Sequence, residues 1–343
     1  MGRRLQDLMK WDKFQFSLGG MLGPIMPKCQ GCARRQEVIQ KLEEQVKKLE
    51  SEVATLNILL NPPDVPGQPV VTIDAVPPEA GWAHLKASVT GFGKASLQDA
   101  HNLTIEGENA LLIVCDGAGS LKHSKAGADF VVKHLSAKLL ELIKAGEAFT
   151  QESWAERSRA LFLEASQVLK SKSQSERMNF GDFGCTCIVV LAGPDFVACA
   201  HVGDGRAGYL DTSGHWLALM TPHKGALANS TVFMTMLEPA SLDQLVRVMF
   251  VPVRTRAVVA LSDGPEDVCW LVSSFNQSGQ KVIDPNQPSD EFLGKIANQL
   301  AGATAKKVPQ DKLDKLWQDF LREGTPKLKA QVDDKTLLLA LRG

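Results

Sequence analysis

At 343 residues, 44% of them apolar, the chain is long enough for one large domain or two ordinary ones and can bury a sizeable core. A formal net charge of −1, with Lys and Arg scattered and no basic block interleaved with aromatics, argues against nucleic acid or a membrane as partner. Seven cysteines make no disulfide framework in a chain this long. Cys115, Cys185, Cys187, Cys199 and Cys269 sit in or beside apolar runs and read as small buried hydrophobes in a reducing, cytoplasmic setting.

Residues 1–33 are mixed in character and read as a poorly ordered segment. Their uncharged stretch from Phe14 to Met26 is too short to span a bilayer and lacks a small-residue cleavage site, so neither a membrane span nor a signal peptide is expected. Cys29-Gln-Gly-Cys32 is the only CxxC; no second pair completes a four-ligand zinc site, and it reads as incidental. Residues 34–60 carry a heptad, with Ile39, Leu42, Val46, Leu49, Val53, Leu56 and Leu60 alternating steps of three and four. Branched residues at most of one seam position and Leu at the other favour a parallel two-stranded coiled coil. The stripe is narrow and the remaining faces are charged, which favours the coil over a helix packed on its own domain. Such a coil would form a homodimer, or recruit a partner such as a kinase. Asn61-Pro-Pro-Asp-Val-Pro-Gly-Gln-Pro69 and Pro77-Pro78 mark residues 61–80 as a semi-extended linker, and a compact domain is expected over residues 81–343.

Within that domain, residues 82–90 read as a strand, 91–95 as a loop, and 99–105 as a second strand. Leu111–Cys115 is a continuous apolar run ending abruptly in Asp116 and a glycine-rich turn. Residues 124–144 and 154–169 carry helical periodicity. Residues 186–192, 196–202, 206–210 and 257–261 read as strands, 290–301 and 310–321 as helices, and 336–341 as a final strand. Strands come in runs with helices grouped between them, which predicts an α+β fold.

Asp99, Asp116, Asp204, Asp263 and Asp333 each fall at a strand boundary. Carboxylates gathered at one end of a sheet repel one another unless cations lie between them. Oxygen-only ligation suits Mg²⁺ or Mn²⁺ rather than zinc. Two such ions about 4 Å apart can share a water, lower its pKa and aim it at phosphorus.

Six segments in order resemble the metal-dependent type 2C (PPM-type) protein serine/threonine phosphatases, the bacterial subgroup above all. They are Ser96-Leu-Gln-Asp-Ala-His101, Val114-Cys-Asp-Gly-Ala-Gly-Ser120, Phe183-Gly-Cys-Thr-Cys187, His201-Val-Gly-Asp-Gly-Arg206, Leu261-Ser-Asp-Gly-Pro-Glu-Asp267 and Val332-Asp-Asp-Lys-Thr336. The resemblance implies an αββα sandwich, two packed antiparallel sheets flanked by helices, with a two-metal centre at one end. By the same resemblance Asp116 bridges both ions and the Gly117 carbonyl binds one, while Asp263 and Asp333 complete the other. Asp99 and Gln98 occupy the early acidic motif. Asp204, with Asp267, matches a third, weaker metal site or its support. Lys94 falls where the family has a phosphate-contacting Arg, and Thr186 is assigned to the fold rather than to chemistry. Asp334 competes with Asp333 for the last ligand position, and the alignment of motifs favours Asp333.

The chain departs from many relatives at Gln98, which replaces Glu, and at Ala118, which replaces a His proposed as proton donor; His123 or His101 are candidates for that role. The expected activity is hydrolysis of phosphoserine and phosphothreonine on a protein by a water activated between two metals. The alternatives are a catalytically weak phosphatase-like scaffold acting through its coiled coil, and a small-molecule phosphohydrolase.

Overall fold

The computed structural model describes residues 81–343 apart from 224–230, 273, 276–280 and 283. The N-terminal segment, coiled coil and linker expected over residues 1–80 lie outside the described residues. The elements run β1 (Trp82–Val89), β2 (Ala100–Glu106), β3 (Asn109–Cys115), α1 (Ser124–Lys144), α2 (Gln151–Ser175), β4 (Cys187–Ala192), β5 (Val197–Val202), β6 (Arg206–Leu210), β7 (Trp216–Ala218), β8 (Arg247–Val251), β9 (Ala257–Leu261), α3 (Asp290–Ala305), α4 (Gln310–Glu323) and β10 (Lys335–Arg342).

An unbroken apolar strand needs cover on both faces, because successive side chains point to opposite sides. In β3, Ala110, Leu112 and Val114 enter one buried cluster while Leu111, Ile113 and Cys115 enter another. The same split divides β9 and β10: Val258, Ala260, Leu338 and Ala340 face one way, and Val259, Leu261, Leu337 and Leu339 the other. Two five-stranded sheets result. One is ordered β1-β10-β9-β6-β7 and the other β2-β3-β4-β5-β8, and neighbouring strands are antiparallel throughout. Their facing sides share the cluster holding Leu112, Val190, Val258 and Leu338. Helices cover the outer faces: α1 lies on β2 and β3, α2 on β5 and β8, and α3 and α4 on β1. This is the expected four-layer sandwich.

Helix α1 buries Ala128, Val131, Val132, Leu135, Leu139 and Ile143, a single face at helical spacing. Burying such a Leu or Ile contributes about 1.5–3 kcal/mol. Helix α2 starts earlier than its apolar period predicts. Thr150 caps it, accepting from the Ser153 N–H while the Ser153 hydroxyl accepts from the Thr150 N–H. It also runs on to Ser175 through a polar, exposed turn. Strands β7 and β8 were not expected. The first spans three residues, and the second is a half-exposed edge strand paired only with β5. Among the described residues no helix is long and apolar enough to cross a membrane. The five cysteines of the described domain are buried and unpaired, as their apolar settings predict.

Candidate functional site

At one end of the sandwich the inter-sheet face turns polar. Ser88 of β1, Thr336 of β10 and Ser262, just past β9, replace the apolar side chains found further along, and Asp99 meets them from the other sheet. The Asp99 carboxylate is 1% exposed. Its Oδ2 accepts from Thr336 Oγ1 at 2.6 Å and Ser262 Oγ at 2.8 Å. Its Oδ1 is buried and receives no hydroxyl or N–H hydrogen bond, while the Asp116 carboxyl lies within hydrogen-bonding reach of the Asp99 carboxylate. Burial raises the Asp99 pKa to about 6 against the pull of those two hydroxyls, and Asp334 adds to the rise. Since Thr336 donates to Asp99, Ser88 donates to Thr336 (2.6 Å) and accepts from His101 Nδ1 (2.7 Å). Burial, then Lys86 and Lys125, holds His101 neutral with a pKa of about 4.

Asp116 ends β3 beside this network. Its backbone is pinned to Thr186 on both sides: its N–H donates to Thr186 Oγ1 at 3.1 Å, and its carbonyl accepts from the Thr186 N–H at 2.8 Å. Thr186 therefore holds the turn, as expected. Burial and then the charges of Asp99, Asp263 and Asp333 push the Asp116 carboxyl well above the usual range. Gly117 follows in a crowded backbone, where a Cβ would lie 2.7 Å from the Gln98 carbonyl oxygen. Asp263 leaves β9 into the same region. Burial, then Asp333 and Asp204, raises its pKa to about 7, and its Oδ1 is a second buried oxygen without a donor. Asp204 sits between Gly203 and Gly205, at φ +91° and +95°, in a turn an L side chain rarely adopts. Its Oδ1 accepts from Thr231 at 3.0 Å.

The adjacent acids of the last loop part company. Asp334 is 1% exposed and spends both oxygens on backbone donors, Gly91 N–H at 2.9 Å and Gln98 N–H at 2.7 Å. Asp333 is 41% exposed at the rim and is bonded by the Lys94 ammonium. Lys94 also lies 3.5 Å from Asp334 and feels Asp116. Burial lowers its pKa, but its bond to Asp333 and the charges of Asp333, Asp334 and Asp116 raise it further, so it stays charged. The lysine expected to meet phosphate thus balances the carboxylates. Asp267 is exposed beside a cavity of about 250 Å³ that Gly264, Val268, Lys327 and Gln331 also line. His123 stacks on Phe183 at 5.1 Å between centroids, and the Gln98 amide donates to Ser124 at 3.0 Å.

The charges of Asp99, Asp263 and Asp333 thus act on Asp116, and those of Asp333, Asp204 and Asp99 on Asp263. Among the described residues no three His, Cys, Asp or Glu side chains are placed to hold a metal ion between them as they stand. The donor set nonetheless suits a hard divalent cation: all oxygen, mutually repelling, with two buried oxygens lacking a hydroxyl or N–H donor.

Gln331 was missed by motif reading. Its Nε2 donates to the Gly264 carbonyl at 2.7 Å and its Oε1 accepts from the Asp333 N–H at 3.2 Å. Its own carbonyl accepts from the Phe92 N–H at 2.7 Å. One residue thereby ties together three loops that carry Asp263, Asp333 and Lys94. Its position just ahead of Val332-Asp-Asp was the only signal.

Two antiparallel sheets between helix layers, with acids gathered at one end, define the class of fold to which comparison with known proteins also leads. Residues 93–316 match the protein phosphatase 2C family, and the chain belongs to that family. It is 28% identical over 271 residues to serine/threonine-protein phosphatase 3 of Escherichia coli (strain K12), covering 76% of this chain and 98% of that protein. A shorter likeness, 33% over 133 residues, joins it to probable protein phosphatase 1N of Homo sapiens, covering 37% of this chain and 29% of that one. The crystal structure of a bacterial serine phosphatase matches with a TM-score of 0.50 at 17% identity, over 76% of this chain and 97% of that one, a likeness of fold.

Proposed function

We propose that the chain is a metal-dependent phosphatase that removes phosphate from serine or threonine of a phosphoprotein, using two Mg²⁺ or Mn²⁺ ions at its acidic end. The observation that carries this reading is the convergence of Asp99, Asp116 and Asp263, with Asp99 Oδ1 and Asp263 Oδ1 buried and without donors. Family membership and the relatives named as serine/threonine phosphatases support it. Asp116 and the Gly117 carbonyl would hold the first ion, Asp263 and Asp333 the second, with Asp99 beside them and Asp204 at a weaker third site. When bound, such a pair lowers the pKa of a shared water and presents it in line with the phosphoester bond.

The chain's own residues do the rest. Asp334, locked to Gly91 and Gln98, fixes the loop so that Asp333 faces outward. Lys94, bonded to Asp333 here, would be free to meet phosphate oxygens as a point charge once Asp333 served as a metal ligand. Thr336 and Ser262 hold the Asp99 carboxylate so that Oδ1 remains available. The buried unpaired thiols fit a cytoplasmic enzyme. The coiled coil expected over residues 34–60 would bring two copies together, or bring in a partner kinase.

The test is release of phosphate from phosphothreonine peptides with Mn²⁺, by the native chain and by Asp116→Asn and Asp263→Asn. Loss of at least about 100-fold in each variant is expected if these groups carry the metals. Activity untouched by both changes would refute the assignment. Absence of Mn²⁺ binding in calorimetry would favour the scaffold alternative.

A further inference from the structure

The two most exposed large apolar side chains among the described residues stand beside this acidic end. Phe92 is 69% exposed and Val332 64%. Neither joins any of the three buried clusters. Single exposed apolar residues are ordinary, but two together at the edge of a charged site are not. They sit on facing loops held in fixed contact. The Phe92 N–H donates to the Gln331 carbonyl at 2.7 Å, and Gly91 lies so close that a Cβ there would be 2.1 Å from the Val332 carbonyl oxygen. Phe92 is two residues from Lys94, and Val332 adjoins Asp333, which Lys94 bonds. The loops that would hold phosphate and metal thus also hold the apolar pair.

We infer that Phe92 and Val332 form an apolar rim that selects phosphoprotein segments bearing an apolar side chain immediately next to the phosphorylated Ser or Thr. The inference rests on the phosphatase reading above. An extended chain advances about 3.3–3.6 Å per residue, so a phosphoresidue anchored at Lys94 lays its neighbours over these same loops. Covering the rim removes apolar surface from water on both partners. A polar neighbour leaves Phe92 and Val332 wet and gains nothing from them.

The experiment compares two phosphothreonine peptides, identical except for Leu or Ser on both sides of the phosphorylated residue, with the full chain in Mn²⁺. The native chain is expected to favour the Leu peptide by about 10-fold in kcat/KM, carried mainly by KM. In Phe92→Ser/Val332→Ser the preference falls to about one, and Phe92→Leu retains it. A native preference near one, or one that survives the double substitution, overturns this inference alone. Failure of the native chain to release phosphate from either peptide overturns the phosphatase reading, and the rim with it.

Discussion

Asp99 offers the sharpest test of the acidic end, because its charge is buried with one oxygen lacking a hydroxyl or N–H donor. Its pKa rises from 3.8 to about 6 on folding, with burial the main cause. A pKa raised in the folded state stabilises the fold below the unfolded value, and that contribution is lost as pH climbs through the folded one. For Asp99 the window runs from about pH 4 to pH 7, and two units correspond to about 3 kcal/mol. Asp99→Asn removes the titration while keeping the shape. Its amide oxygen can take over the bonds from Thr336 and Ser262, and its amide nitrogen falls where Oδ1 has no donor, beside the Asp116 carboxylate. In chelator, the variant and the native chain should melt together near pH 3.5. By pH 8 the variant should melt higher, by about 10 °C for about 3 kcal/mol in a domain of this size. Saturating Mn²⁺ should close the gap, because Asp116, Asp263 and Asp333 draw the cation in both chains but only the native one adds the Asp99 charge to it. Taking the difference between two chains cancels the titrating groups that do not feel Asp99, while Asp116 and Asp263, whose pKa values its charge raises, relax in the variant and widen the gap at high pH. A native chain as stable as Asp99→Asn at pH 8 in chelator, or a gap that ignores pH, would refute the argument that Asp99 is a buried charge awaiting a partner.

Gln331→Leu removes both loop-tying bonds without adding charge, and should weaken Mn²⁺ binding about 10-fold in calorimetry, as loss of an outer-shell support does. Arg206 is fully buried and bonded to Glu266, Asp284 and Asn286. Arg206→Leu strands those carboxylates and should cost about 3 kcal/mol in urea unfolding, with an unchanged stability counting against the network. Asp333→Asn and Asp334→Asn should separate cleanly. The first lowers Mn²⁺ affinity with little change in melting, whereas the second turns an acceptor toward a backbone N–H into a donor and costs about 1–3 kcal/mol of stability.

Much of the architecture was legible because most strands are covered on both faces. Short continuous apolar runs bounded by turn signals, such as Leu111–Cys115 and Leu337–Leu341, read as central strands of a layered fold, and Arg206–Leu210 and Ala257–Leu261 begin and end where the pattern says. The pattern failed where cover is partial. Strand β8 has β5 on one side only and keeps its residues half exposed, so its identity depends on a neighbour that local sequence does not reveal. The start of α2 was set by a hydroxyl pair at Thr150 and Ser153, which apolar periodicity does not register. The candidate acids could be listed because each falls at a strand boundary. Their convergence could not be read locally, since it follows from strand order: β3 and β9 lie in different sheets, and β10 pairs with β9 only after the whole domain has been threaded.

Asp333 and Asp334 show how far the period-two rule reaches when it is applied past the end of a strand. In β10, Leu338 and Ala340 face the other sheet, and Thr336 continues that face to its bond with Asp99. Two residues further back the same face falls on Asp334, which is accordingly buried and consumed by Gly91 and Gln98. Asp333 takes the opposite parity and emerges at the rim beside Lys94. Strand alternation alone therefore separates a structural acid from an available one. What alternation does not supply is the counter-charge. Lys94 reaches Asp333 across 239 positions of sequence, and only because Gly91 lets its loop press against the backbone of Val332. The clustered acids are a property of strand boundaries, whereas the lysine and the glutamine bonded beside them are a property of how loops from distant strands meet.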